Sequence, residues 1–271
     1  MSHLLQYKAF AEHLAELARP IAKRYFRSDL KVIDKPDATP VTFADMEIET
    51  RLREEIAREY PTHGILGEEH DSVNLTAEWV WVIDPIDGTK AFTCGKPQFG
   101  TLVALAHHGA PAIGVIDQPI TDERWVGVKG LGAWFNGVPM RVRPRATKLS
   151  DAIVLMTTPD MFVETGNAEF ERLRRACKGI YYGGDCYNYA LVAAGHVDLV
   201  VENRLKVVDF AAVVNPIIEA GGVACDWAGA PLTLASNGSI IAASSQTLAA
   251  EVLAVLAPSP SGGRLGWGQT P

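Results

Sequence analysis

Asp84 and Asp87 stand three residues apart in Trp81-Val82-Ile83-Asp84-Pro85-Ile86-Asp87-Gly88-Thr89, directly after an apolar run and directly before Gly-Thr. Two carboxylates on a turn whose Pro85 fixes φ can converge on neighbouring hard cations, which take oxygen ligands. Gly88 lets backbone approach an anion, and a helix starting near Thr89 would aim unpaired N–H groups and a positive dipole end at phosphate oxygens. These residue types suit a cation site beside a phosphate cradle, and hence chemistry on a phosphate. Read instead as the Asp-Gly turn of a hairpin, the same stretch leaves Asp84 in an apolar strand without a role.

Three further segments place carboxylates where elements begin or end: Asp45 after Pro40-Val41-Thr42, Glu68 in Gly67-Glu68-Glu69-His70, and Asp209. Taken singly, Asp45 and Asp209 read as helix caps, and Glu68 or Glu69 as a solvated loop charge. Phe10, Leu14, Leu17, Ile21 and Tyr25 recur at helical spacing and predict an amphipathic helix over 1–26. Ile48, Leu52, Ile56 and Tyr60 predict a second helix over about 45–60, with Asp45 at its start. Runs at 80–83, 100–106, 113–116 and 124–128 read as strands, ending in a turn-rich stretch near 130–137. The first half, about 1–147, is expected to set helices against a mostly antiparallel sheet.

From 148 to 257 strands and helices alternate: strand 152–157, helix 169–177, strand 180–182, helix 186–194, strand 197–201. Asp209 is expected to cap a final long helix, kinked by Pro216 and ended by Gly221-Gly222, followed by strands near Val223 and Ile240. A layered α/β half results. Residues 258–271 show no periodicity and are expected to be disordered.

With 271 residues, 48% of them hydrophobic and 21% charged, the chain can bury a sizeable core. A formal charge of -7 leaves no broad basic surface for a nucleic-acid backbone, so the expected partner is a small molecule. Cys94, Cys177, Cys186 and Cys225 form no Cys-x-x-Cys pair, as expected of reduced thiols. Charged residues interrupt the first 26, and no apolar run approaches the ~20 residues of a membrane span. The protein is therefore expected in the cytoplasm, with no membrane or nucleic-acid partner.

Other catalytic motifs fail. The glycines of 88–96 are too far apart for a nucleotide-binding loop, and Lys96 is followed by Pro97. The Asp84-to-Thr89 run does not fit an Asp-x-Asp nucleophile, and there is no Gly-x-Ser-x-Gly and no His-x-x-x-His. Water is the expected nucleophile.

In combination, Pro40-Val41-Thr42 with Asp45, Gly67-Glu68-Glu69, Asp84-Pro85-Ile86-Asp87-Gly88-Thr89, Asp209-Phe210-Ala211 and Glu219-Ala220-Gly221-Gly222 resemble the inositol monophosphatase family over about 4–256. Gly67-Glu68-Glu69-His70, Phe99-Gly100-Thr101, Tyr182-Gly183-Gly184-Asp185-Cys186-Tyr187 and Glu202 through Lys206 look most like its histidinol-phosphate phosphatase branch. The resemblance implies a layered α+β/α/β sugar-phosphatase fold (alternating α-β-α-β-α), a homodimer, and two or three Mg²⁺ ions per active site. By the same resemblance Glu68, Asp84 and the Ile86 carbonyl hold one ion, and Asp84, Asp87 and Asp209 a second. Thr89, hydrogen-bonded to Asp45, orients and helps deprotonate the attacking water, and the N–H groups of Gly88 and Thr89 grip the phosphate. Asp185 and Glu202 border the leaving group, where a cationic histidinol would pair with them and a neutral inositol would not.

One stretch departs from the branch: Asn203-Arg204-Leu205-Lys206-Val207-Val208 replaces a Gly-Leu-Lys-Pro-Tyr pattern before Asp209. Arg204 and Lys206 could meet a second phosphate, as in a fructose bisphosphatase or a nucleotide bisphosphate phosphatase, or remain solvated. The expected activity is Mg²⁺-dependent hydrolysis of L-histidinol phosphate, with inositol-1-phosphate or broader sugar phosphates as the alternative. A non-catalytic regulator built on the same fold is the alternative of another class.

Overall fold

The computed structural model describes residues 2–28, 32–34, 40–165 and 168–257. The expectation for 258–271 lies outside them. Helix α1 (Ser2–Tyr25) precedes the short pair β1 (Val32–Asp34) and β2 (Pro40–Thr42), helix α2 (Phe43–Glu59), and strands β3 (Gly64–Gly67) and β4 (Trp79–Asp87). After the short helix α3 (Thr89–Thr93) a meander runs through β5 (Gly100–His107), β6 (Ala110–Gln118), β7 (Glu123–Val128), β8 (Gly132–Phe135) and β9 (Val138–Pro139). These seven strands form one sheet in the order β3-β4-β5-β6-β7-β8-β9, antiparallel except for the parallel β3–β4 pair. The stretch expected as turns near 130–137 contains β8, whose Trp134 pairs with Val126.

The remaining chain continues through β10 (Ile153–Met156), α4 (Ala168–Ala176), β11 (Gly179–Tyr182), α5 (Asp185–Ala193), β12 (Leu199–Glu202) and α6 (Val207–Glu219). It ends in β13 (Val223–Cys225), β14 (Ile240–Ala243) and α7 (Gln246–Leu256). The second sheet has the order β11-β10-β12-β14-β13; β10 is parallel to both neighbours and β14 antiparallel to both. Helix α7 follows the helix expected to be the last. Ser245 accepts from the Leu248 N–H at 3.3 Å, and Leu248, Val252 and Leu256 lie buried on one stripe.

Side-chain alternation divides the core into layers. From β4, Trp81 and Ile83 enter the cluster beneath α1 and α2, whereas Val82 enters the one formed with α5 and α6. That middle layer also takes Leu155, Val200 and Ala242 from the second sheet. Leu173 of α4 and Leu248 of α7 close the far face. The sequence of layers is α-β-α-β-α. On α1 the deepest face carries Ala11, Leu14, Ala15, Ala18 and Ala22, with the expected Phe10, Leu17, Ile21 and Tyr25 at its flanks, so that small side chains bring this helix close to the sheet.

Helix α6, which carries Asp209, approaches the first sheet through two glycines. A Cβ on Gly114 would lie 2.1 Å from the Ala212 carbonyl oxygen, and one on Gly127 would lie 2.1 Å from the Asn215 carbonyl carbon. Ala212 is four residues before Pro216, so its carbonyl has lost its helical donor and faces β6 instead. Gly127→Ala is expected to cost roughly 2–3 kcal/mol in denaturant unfolding, because backbone, not a flexible side chain, must retreat.

Candidate active site

The Asp84/Asp87 pair owes its convergence to an irregularity in β4. Asp84 pairs with Leu102 and Asp87 with Gly100, so Pro85 and Ile86 together oppose Thr101 alone. In an unbroken strand, residues three apart point to opposite faces. The extra residue returns Asp87 to the side of Asp84. The Thr101 hydroxyl donates to the Pro85 carbonyl at 2.8 Å and fixes the bulge.

Asp209 arrives from the first turn of α6. It is the third residue of the helix and not the cap expected from sequence; its Oδ2 accepts from the Lys206 N–H at 2.7 Å. One carboxylate oxygen from each of Asp84, Asp87 and Asp209 lies within 4.8 Å of the others. Glu68 follows β3, whose Gly67 pairs with Ile83, and so stands next to Asp84. Across the cavity the Lys206 ammonium donates to Glu68 Oε1 at 3.1 Å.

Crowding shows in the acidities. Burial, then the charges of Glu68, Asp87, Asp209 and Asp45, push Asp84 well above the usual carboxylate range. Asp87 rises in the same way through burial and the charges of Asp185 and Asp209, opposed by the Cys186 N–H, which donates to its Oδ2 at 2.6 Å. Asp209 is raised to about 7, first by burial. Asp84 is 1% exposed, and its Oδ1 is buried with no hydrogen-bond partner among the described residues. A bare buried carboxylate oxygen facing other carboxylates fits a hard divalent cation, and the donor set is oxygen only.

Asp45 sits behind this group. It completes a capping box in which Thr42 Oγ1 accepts from the Ala44 N–H, while Asp45 Oδ2 accepts from the Thr42 N–H at 2.8 Å and the Thr42 hydroxyl at 2.6 Å. Unlike an ordinary cap it is buried, and burial raises it to about 6. The expected bond between Thr89 and Asp45 is absent among the described residues. The Thr89 hydroxyl donates to the Ile86 carbonyl at 3.0 Å, because the tight turn at Gly88, φ 87, brings that carbonyl within reach.

Glu68, Asp84, Ile86, Asp87, Gly88 and Thr89 line one cavity of about 440 Å³, together with Asp185, Glu202 and Asp209; Asp45 does not reach it. Asp185 opens α5 at φ 43 and is not its cap, a position that Gly184 takes at φ 115. The Gly183-Gly184 turn is held by the Asn188 amide, which donates to the Gly183 carbonyl at 2.9 Å. Asp185 is raised to about 6 by burial and the Asp209 charge, against the pull of Lys90 and Lys96. Glu202 closes β12 fully buried: Oε1 accepts from the Thr157 N–H at 2.6 Å and Oε2 from the Tyr189 hydroxyl at 2.7 Å.

Sequence reasoning missed Glu49, Thr157, Tyr189 and the backbone of Cys186. Glu49 is buried and accepts from the N–H groups of Glu69, at 2.7 Å, and His70, at 3.2 Å, so it shapes the loop that presents Glu68. Its signal was available: Asp45 and Glu49 lie at helical i, i+4 spacing, beside the apolar stripe of α2.

The model of the inositol monophosphatase family matches residues 3–260. The chain is 42% identical over 251 residues to the bifunctional phosphatase IMPL2, chloroplastic, of Arabidopsis thaliana, covering 92% of this chain and 72% of that protein. It is 35% identical over 233 residues to the histidinol-phosphatase of Chlorobaculum parvum, covering 86% and 90% of the two chains. Among solved structures, an inositol monophosphatase from Zymomonas mobilis superimposes with a TM-score of 0.84 at 42% identity, over 93% of this chain and 97% of that one. The α-β-α-β-α layering, the acidic centre at its heart and the whole-length match agree, and the chain belongs to the inositol monophosphatase family.

Proposed function

We propose that the protein is a Mg²⁺-dependent phosphomonoesterase that hydrolyses L-histidinol phosphate to L-histidinol and phosphate for histidine biosynthesis, as a cytoplasmic homodimer. The observation that carries the substrate is a pair of acids that lines the cavity besides the carboxylates assigned to the cations: Glu202 at the end of β12, and Asp185 at the start of α5 against Gly88. Glu202 and Asp185 are both drawn out of water, and each keeps carboxylate lone pairs for an incoming ammonium. The similarity to a histidinol-phosphatase supports the same reading.

Glu68, Asp84, Asp87, Asp209 and the Ile86 carbonyl are the residues we assign to the cations, on the strength of the orphaned Asp84 oxygen and the raised pKa values of Asp84 and Asp209. Bound there, Mg²⁺ would lower the pKa of water and offset charge on the attacking and leaving oxygens. The Thr89 hydroxyl gives its hydrogen to Ile86, so its oxygen can accept from the attacking water and orient it. Asp45, raised to about 6, does not line the cavity and would take up the proton near neutral pH only through a bridging water. The N–H groups of Gly88 and Thr89 hold the phosphate at the turn.

The test compares kcat/KM for histidinol phosphate, inositol-1-phosphate and fructose-1,6-bisphosphate, with Mg²⁺ and with EDTA. A Mg²⁺-dependent preference for histidinol phosphate of ~100-fold, or about 2.7 kcal/mol, is expected. Glu202→Gln should raise KM for histidinol phosphate roughly tenfold and for inositol-1-phosphate much less, because only the first loses a charge-assisted bond. Equal effects on both would count against charge recognition. Inositol-1-phosphate is the second reading, favoured by the similarity to the Zymomonas mobilis inositol monophosphatase; comparable rates on all substrates would bring it forward. No metal-dependent release from any would favour a non-catalytic regulator.

A further inference from the structure

We propose that Glu78, His107 and His108 form a second cation site, for a borderline divalent ion such as Zn²⁺ or Ni²⁺, at the end of the first sheet remote from the carboxylate centre. β5 starts at Gly100, opposite Asp87, and ends at His107, opposite Trp79. Seven steps of strand at about 3.4 Å each separate the two places by roughly 24 Å.

One ligand atom from each of the three residues lies within 4.8 Å of the others. His107 Nε2 is 3.0 Å from Glu78 Oε1, and the two imidazole centroids are 4.3 Å apart. Contraction to the spacing of a coordinated set needs only rotation of side chains, two of them exposed. The backbone that carries them is already tied together. The His108 N–H donates to the Glu78 carbonyl at 2.9 Å, which holds the turn at φ 48, and the Gly109 carbonyl accepts from the Leu234 N–H at 2.8 Å. The His107 ring is stacked on Trp79 at 4.1 Å and 25°. An ion arriving here therefore orders little that is not ordered already.

The donor set decides the ion. Two imidazoles and a carboxylate suit Zn²⁺, Ni²⁺ or Cu²⁺, whereas Mg²⁺ prefers oxygen throughout, as at Asp84 and its neighbours. Three protein ligands leave a fourth position to water.

The experiment is isothermal titration of the full chain with ZnCl₂ in excess Mg²⁺, for the wild type, Glu78→Gln, His108→Asn and Asp84→Asn. Asn is chosen at 108 because it tolerates the left-handed backbone. The expected result is one Zn²⁺ site that weakens by at least about tenfold in Glu78→Gln and His108→Asn and persists in Asp84→Asn. Phosphate release in Mg²⁺ alone and the melting temperature without Zn²⁺ should match wild type in the first two variants. Absence of Zn²⁺ binding to the wild type, unchanged affinity in Glu78→Gln and His108→Asn, or loss of the site only in Asp84→Asn would each overturn the proposal.

Discussion

Asp84→Asn is expected to lower phosphate release by ~10³-fold or more, about 4 kcal/mol of barrier, in a protein that still folds. Asp84 is the carboxylate whose neighbours crowd it most. The charges of Glu68, Asp87, Asp209 and Asp45 all raise its pKa, and its Oδ1 has no hydrogen-bond partner among the described residues. Asn keeps the volume but replaces an oxygen ligand by an amide and removes one charge from the group. Removing that charge relieves repulsion, so the melting temperature in EDTA should equal or exceed that of the wild type. The stabilisation conferred by Mg²⁺ should vanish. Phosphate release and thermal melts with and without Mg²⁺ separate the two effects, and a normal rate in this variant would sink the assignment of the centre.

Stability without Mg²⁺ should fall as pH rises, and the stabilisation that Mg²⁺ confers should grow over the same range. Asp209 sits at about 7 and Asp45 and Asp185 at about 6, against 3.8 for an ordinary Asp, and Asp84 and Asp87 lie well above that value too. Over the interval between, the folded protein holds more protons than the unfolded chain, so stability falls as pH rises. The contribution is fully present below about pH 4 and is withdrawn as pH climbs through 6 and 7. In EDTA the melting temperature should drop by on the order of 5–10 °C between pH 5.5 and 8. With saturating Mg²⁺ the carboxylates bind cation in place of proton, and the gap between the Mg²⁺ and EDTA curves should widen over the same range. A gap that stays constant with pH would place the stabilising ions away from these acids.

Elements with a periodic apolar stripe and a clear stop could be read from the chain: α2 from Ile48, Leu52 and Ile56, and β4 to β7 from runs bounded by Gly and Pro. Helix α7 escaped because Gln246–Leu256 is nearly all apolar or small and its cap is a single Ser245. The candidate site was legible as a set of residue types at fixed spacings. Its supporting contacts were not. The Glu49 carboxylate under the Glu68 loop and the Tyr189 hydroxyl on Glu202 join residues 20 and 13 apart, and no local pattern requires those partners. Thr89 illustrates the finer limit, since the choice between Asp45 and Ile86 for one hydroxyl depends on how sharply Gly88 turns.

The bulge in β4 has a bearing on which changes of length the gene for this chain can tolerate. Thr101 faces two residues, Pro85 and Ile86, and either could be exchanged for another that accepts the turn. Removing one of them would let the ladder to β5 close without a bulge and leave Asp84 and Asp87 two residues apart, still on one face, but without the extra residue that sets their spacing and offers a second carbonyl between them. A deletion at this point should therefore yield folded protein that keeps both carboxylates on one side and loses the bulged carbonyl between them. What the extra residue adds between Asp84 and Asp87 is spacing and a backbone oxygen, since plain alternation over one residue fewer would already have set the two side chains on the same side.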